Sequence, residues 1–286
     1  MATTIAQGFK KLSENLEITD LQETTVSSRQ KNVRAAVDNG LTVLEDFLTG
    51  SYKRSTMIAP LKEADVDIFA VLDPKHYKQN DPASVLEATK TALKKTYKTP
   101  KISPNGQAVT ITFDDFIVDV VPGFYRTGGG YLIADTERSR WIATDPKMHL
   151  DIWTTKNKAH GGDLIPMIKI IKGWNKSRKL LRSFHLEVLA LAVFEGITIS
   201  DFQSGARYFF DKARAIVPVK LADPAGYSDD VATYISTQKQ IDDIVNRLKW
   251  AYDTALEAEN LASSGKISAA FERWQKIFPG YFPAYG

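Results

Sequence analysis

Asp65-Val66-Asp67, followed by Ile68-Phe69-Ala70-Val71-Leu72, constrains this chain more than any other stretch. The apolar run reads as a strand, and residues i and i+2 of a strand project to the same face. Two carboxylates therefore stand side by side at the head of a strand. The usual relief for such a pair is a hard divalent cation such as Mg2+. Upstream, Gly50-Ser51 reads as a turn. Glycine lets the backbone approach a ligand closely, and turn N–H groups with a serine hydroxyl can hold phosphate. Carboxylates of the metal-binding kind beside a phosphate-holding turn point to phosphoryl chemistry on a nucleotide.

That chemistry needs a third carboxylate, and Asp119 supplies the candidate. It is the one charge in the apolar run Phe116-Ile117-Val118-Asp119-Val120-Val121, costly there unless a cation or partner compensates. Val109-Thr110-Ile111-Thr112-Phe113 alternates like a strand, and Asp114-Asp115 reads as the turn of a hairpin. Asp119 thus sits on a strand able to lie beside the one carrying Asp65 and Asp67. Three such groups can bridge two Mg2+ ions, with Mn2+ as a substitute, about 3.5–4 Å apart. Alone, an Asp-x-Asp pair or a Gly-Ser turn is commonplace; the conjunction in this order is specific.

These residues resemble the motif set of the DNA polymerase beta-type nucleotidyltransferase superfamily. Ile168-Lys169-Ile170-Ile171-Lys172-Gly173-Trp174-Asn175 and Ser183-Phe184-His185-Leu186-Glu187-Val188-Leu189 are similar to the helical half of its cyclic GMP-AMP synthase and oligoadenylate synthase branch. Phe271-Glu272-Arg273-Trp274 through Pro283 resembles the C-terminal end of bacterial members. Those are the second-messenger oligonucleotide or dinucleotide synthetases of anti-phage signalling, called CD-NTases. The resemblance runs from about residue 35 onward.

The resemblance implies a cyclic oligonucleotide synthase that joins nucleoside triphosphates (ATP, GTP or both, with pyrimidine triphosphates also candidates) and releases pyrophosphate. A separate effector would read the product. Asp65, Asp67 and Asp119 would be catalytic and hold Mg2+. Gly50 and Ser51 would cradle the β- and γ-phosphates, and Lys172 and Ser183 would reach the same triphosphate. The plainer alternatives are a solvated lysine at 172 and a helix N-cap at 183. Trp174 and Phe184 at helical spacing read as core, and Tyr52 beside the turn is a weak candidate for base stacking. Glu187 reads as structural. Relatives encoded beside ubiquitin-type conjugation enzymes end in a free glycine that is attached to targets, which makes Gly286 a candidate conjugation site. A frayed terminus is the simpler reading.

Composition excludes several other classes. The 286 residues are long enough for a large core, in one bilobed unit or two packed domains. Net charge is +3, so no global basic field argues for obligate nucleic-acid binding. Without cysteine there is no disulfide framework or thiolate metal site. No apolar run reaches membrane-spanning length, and Lys10-Lys11 precedes no apolar core, so a cytoplasmic protein without a secretory signal is expected. His76, His149, His160 and His185 are scattered without metal-ligand spacing.

The expected fold is α+β, a polymerase beta-like sheet lobe over residues 1–145 and a helical lobe over 146–286, with a nucleotide cleft between them. Val33, Ala36, Val37, Leu41, Leu44, Phe47 and Leu48 recur at three- and four-residue steps, so 1–48 reads as helical and Thr49-Gly50 as its end. A helix is expected over 82–97, with Asp81 as N-cap and Pro82 at N1, then loop over 100–104. Strands follow at 109–113, 116–121, 131–134 and 140–144. From Pro146 the chain reads as helical, broken at Gly161-Gly162 and at the loop Asp223 to Ser228, with 231–263 as one helix or two. Two rivals differ in function: a linear 2′-5′ oligonucleotide synthase or a small-molecule or protein nucleotidyltransferase, and a nucleic-acid-sensing module inactive alone. Product cyclisation separates the first, and a steeply salt-dependent duplex affinity would mark the second.

Overall fold

The computed structural model covers residues 1–286. The chain starts with α1 (Ile5–Leu16) and α2 (Asp20–Asp38), each opened by a Thr capping box, Thr4 with Gln7 and Thr19 with Gln22. Then come β1 (Val43–Thr49), the single turn α3 (Gly50–Lys53), β2 (Asp65–Leu72), α4 (Ala83–Thr96), β3 (Lys101–Asn105), β4 (Ala108–Thr112), β5 (Ile117–Tyr125), β6 (Tyr131–Asp135) and β7 (Arg140–Thr144). The helices α5 (Pro146–Ala159), α6 (Leu164–Lys176), α7 (Ser183–Val193), α8 (Phe202–Ile216), α9 (Gln238–Ser263) and α10 (Ile267–Ile277) complete it. The α+β class holds. No helix is long and apolar enough to cross a membrane.

Two compact units emerge, Ile18–Asp151 and Met1–Glu17 with Ile152–Gly286. They differ from lobes of 1–145 and 146–286 in that α1 goes with the later helices and the second boundary falls within α5. The reason is aromatic packing. Phe9 of α1 meets Trp274 edge to face at a centroid distance of 4.8 Å and Phe282 at 5.4 Å, and its ring is buried. Phe9→Ala should therefore destabilise the helical unit by about 3–5 kcal/mol; denaturant unfolding followed by tryptophan fluorescence measures this, and a loss under 1 kcal/mol would contradict the packing role.

The sheet of the other unit has strand order β1-β2-β5-β4-β3, with β6 on the far end of β5 and β7 beyond it. Only β2 and β5 pair in parallel. Strand alternation sorts β2 into two faces. Val66, Ile68, Ala70 and Leu72 enter a large core shared with Val26, Val33 and Val37 of α2 and Leu86 and Leu93 of α4. Asp65, Asp67, Phe69 and Val71 take the other face, where Phe69 and Val71 join Tyr131 and Ile133 in a small second core. The carboxylates thus lie where that face opens: Asp65 is exposed and Asp67 half-buried.

Three local expectations are corrected. Residues 43–49 are a strand rather than the end of a helix: α2 stops at Asp38, and β1 pairs antiparallel with β2, Phe47 opposite Phe69. The apolar spacing over 41–48 suits both periods, and the two rings stacked at 5.1 Å show which one tertiary pairing selected. The turn pair Asn39-Gly40 was the available stop signal. Residues 101–105, expected as loop, form β3; it is the outermost strand on its side of the sheet, where Pro104 costs no ladder bond. Residues 231–237 are not helical, and α9 begins at the Thr237 and Gln240 capping box. The hairpin of β4 and β5 and the strands β6 and β7 fall where the sequence puts them.

Candidate active site

The register of β2 against β5 assembles the acidic site. Asp67 pairs with Asp119 across the two parallel strands, and Asp65 lies two residues before Asp67 on the same face. Ligand oxygens of Asp65, Asp67 and Asp119 all lie within 4.8 Å of one another. Asp119, like Asp67, is half-buried. Burial raises its pKa above the usual carboxylate value, the Thr110 hydroxyl opposes this, and the Asp65 charge adds to it. Its Oδ1 is buried with no hydrogen-bond partner. A buried, unpartnered carboxylate oxygen beside two further carboxylates suits a divalent cation, and three hard oxygen donors suit a hard ion rather than a soft one.

The Gly50-Ser51 turn stands directly over this cluster. β1 pairs Thr49 with Asp67, and the chain then turns into α3. Gly50 has φ +65°, and a Cβ there would overlap the Asp67 carboxylate. The turn is closed by Thr56 and Met57 N–H groups donating to the Ser51 carbonyl at 2.9 and 3.1 Å. Tyr52, the weak stacking candidate, packs against the large core instead.

In the helical unit, Lys172 and Ser183 meet at a third residue. Lys172 is 9% exposed, and its Nζ lies 3.1 Å from Oε1 of Glu187, which is fully buried. Ser183 Oγ donates to the same Oε1 at 3.4 Å. Lys172 is thus no solvated helix lysine. Ser183 is no N-cap either: that position is Arg182, without a side-chain cap bond. The α6–α7 connection holds this geometry. Asn175 Oδ1 accepts from Leu180 and Leu181 N–H, and its Nδ2 donates to the Leu181 carbonyl at 2.7 Å. The Tyr234 hydroxyl accepts the Arg182 N–H at 2.8 Å. Trp174 is wholly buried against Phe210 and is core, as expected, while Phe184 is half-buried and stacks on Trp153. Glu187, which reads from sequence only as structural, is the residue on which Lys172 and Ser183 converge. The available signal was a carboxylate inside the apolar run Leu186 to Val193, four residues after Ser183.

The histidines bind backbone or side chain rather than forming a metal cluster. His76 Nε2 accepts the Thr42 N–H, and His160 lies between the Lys156 and Phe194 carbonyls. His185 contacts the Tyr234 hydroxyl at 2.9 Å, and burial pushes its pKa down to about 4, against a smaller upward pull from Asp230. Native His185 is therefore neutral at pH 7, and the unfolded chain gains a proton first as pH falls below 6.5. Stability should fall from pH 6.5 toward 4, and His185→Gln should flatten that limb in thermal melts; equal slopes in both proteins would contradict it. Gly286 is exposed, and its backbone N–H and carbonyl pair with Ala2 at 3.2 and 3.0 Å.

Comparison with known proteins identifies the family. The family model of the Second Messenger Oligonucleotide or Dinucleotide Synthetase domain matches residues 3–157. A cyclic AMP-AMP-AMP synthase of Acinetobacter sp. is 28% identical, covering 98% of this chain and 86% of that protein. A probable cyclic nucleotide synthase of Bacillus cereus is 25% identical over 82% of this chain and 81% of its own length. Escherichia coli MS115-1 CdnC, solved with ATP, superposes with a TM-score of 0.80 at 17% identity, covering 98% of this chain and 99% of that one. Vibrio cholerae DncV cyclic AMP-GMP synthase, solved with a linear intermediate, gives 0.79 at 13% identity, covering 99% and 97%. At such identities the two structures establish a shared fold, while the family match takes in more than half of the sequence. The chain belongs to the Second Messenger Oligonucleotide or Dinucleotide Synthetase family and is a nucleotidyltransferase of the cyclic nucleotide synthase type.

Proposed function

We propose that Asp65, Asp67 and Asp119 are the catalytic carboxylates with which this chain links nucleoside triphosphates and closes them into a ring. The observation that carries this is the Asp67–Asp119 register with Asp65 beside it, all three within 4.8 Å. In each transfer a ribose hydroxyl oxygen forms a bond to the α-phosphorus of a triphosphate. The bond from that phosphorus to pyrophosphate breaks, and the hydroxyl proton passes to solvent. Mg2+ ions, or Mn2+ in their place, held by the three carboxylates would acidify that hydroxyl and neutralise charge on the leaving group. Asp65 and Asp67 would hold the metal together with Asp119, and Asp119 would help bring the acceptor hydroxyl into line. Gly50 and Ser51 hold the β- and γ-phosphates. Lys172 and Ser183 supply a cation and a hydroxyl to the triphosphate, so most of the rate comes from positioning and charge neutralisation.

The relatives named for AMP-containing products support ATP as one substrate, and a separate effector reads the product. Incubation with all four labelled triphosphates and Mg2+ or Mn2+, then phosphatase treatment and mass spectrometry, tests the proposal. The expected result is a phosphatase-resistant product whose mass equals a closed ring. A linear product with a terminal triphosphate before treatment would move the chain to linear oligonucleotide synthesis.

A further inference from the structure

We infer that Glu187 is a positioning residue for the triphosphate grip, acting through Lys172 and Ser183. The inference rests on the reading that those two side chains bind triphosphate. Its basis is the convergence of both on one oxygen. Glu187 sits in α7 with no solvent exposure, between Leu186 and Val188. A carboxylate so placed is retained only when charge and hydrogen bonds compensate it. Oε1 receives the Lys172 ammonium at 3.1 Å and the Ser183 hydroxyl at 3.4 Å. Ser183 and Glu187 are four residues apart on one helix and so share a face, while Lys172 comes from α6. One carboxylate thereby fixes the spacing between a cation and a hydroxyl contributed by two helices.

The two contacts have different strengths, and the difference suits this role. The lysine contact, at 3.1 Å, is a charge-assisted pair in a buried setting. It keeps the Lys172 side chain in one place and its charge compensated before substrate arrives. An ammonium has three donors, so the pair with Oε1 does not by itself occupy them all. The serine contact is long, so the hydroxyl proton can turn to a phosphate oxygen at little cost. Glu187 need never touch substrate.

The test compares Glu187→Gln, Lys172→Ala and the double variant, by equilibrium binding of ATP with Mg2+ and by kcat and KM separately. Gln keeps the shape and one acceptor but not the charge. Loss of a charge-assisted contact corresponds to about 10- to 100-fold in affinity. Glu187→Gln should raise the ATP Kd and KM by roughly that factor with kcat nearly unchanged, the pattern of lost uniform binding. The double variant should lose less than the sum of the two single losses, because Glu187 acts in part through Lys172. If Lys172→Ala weakens ATP binding but Glu187→Gln binds like wild type, or if the two losses add fully, the positioning role is overturned while the phosphate reading stands. If Lys172→Ala itself binds ATP normally, the phosphate reading fails and the inference with it. Should Glu187→Gln not fold, Lys172→Met with Glu187→Met removes both charges together, a replacement that buried pairs often tolerate. Glu187→Asp on the wild-type background then serves as the second probe, with a rise in KM at unchanged melting temperature expected and an unchanged KM contradicting the role.

Discussion

Asp119→Asn should nearly abolish product formation while leaving the protein folded and, without divalent metal, more resistant to heat than wild type. Asn keeps the side-chain shape but not the charge, so the loss falls on metal binding and on the acceptor hydroxyl. Metal stabilisation of the transition state is worth several kcal/mol, and at 1.36 kcal/mol per factor of ten the rate should fall by roughly a thousandfold. The stability half follows from the opposite sign of the same charge. Burial raises the native pKa of Asp119 above 3.8, so the native state binds a proton that the unfolded chain has already lost. Wild-type stability therefore declines as pH rises through the window from 3.8 up to the raised native value. The variant lacks that decline. Its thermal advantage should appear at neutral pH, vanish below the window, and reverse when Mg2+ is added, which helps only the wild type. Melting curves at several pH values, with and without Mg2+, read all three. A variant less stable than wild type at pH 7 without metal would show that the Asp119 charge is compensated by the protein itself.

Gly50→Ala should carry the second largest effect, and Gly106→Ala is its internal control. Both glycines have positive φ, +65° and +61°, so an L side chain costs about 1–2 kcal/mol of strain at either position. Only at Gly50 would the new Cβ overlap the Asp67 carboxylate; at Gly106 nothing lies within 4 Å. Gly106→Ala should thus lose stability alone. Gly50→Ala should lose a similar or larger amount of stability and at least about a hundredfold in rate, since misplacing a reacting group by 1 Å costs on that order. Equal activity in the two variants would mean that the turn does not set the position of Asp67.

How much was legible in the sequence depends on whether a local pattern had one solution. Asp65-Val66-Asp67 before an apolar run can only put two carboxylates on one strand face, and Asp119 in its own apolar strand needed a partner. The parallel register that sets Asp119 opposite Asp67 satisfies both. The hairpin turn at Asp114-Asp115 was equally unambiguous. β1 was not, because its apolar spacing suits helix and strand alike and only pairing with β2 decides. The membership of α1 rests on Phe9 meeting Trp274 and Phe282, contacts more than 260 residues distant in the chain that no local window contains. Lys172 and Ser183 came from resemblance, not from spacing. Their convergence on Glu187 depends on how Asn175 folds the α6–α7 connection, and that is visible only in three dimensions.

The most direct test of the central claim is a crystal of the wild-type protein grown with Mn2+ and an ATP analogue that cannot transfer its α-phosphoryl group, measured for anomalous scattering. Manganese peaks are expected within coordination distance of oxygens of Asp65, Asp67 and Asp119, as is their loss in Asp67→Asn. Manganese bound elsewhere, or a triphosphate seated with no metal at these three carboxylates, would contradict it.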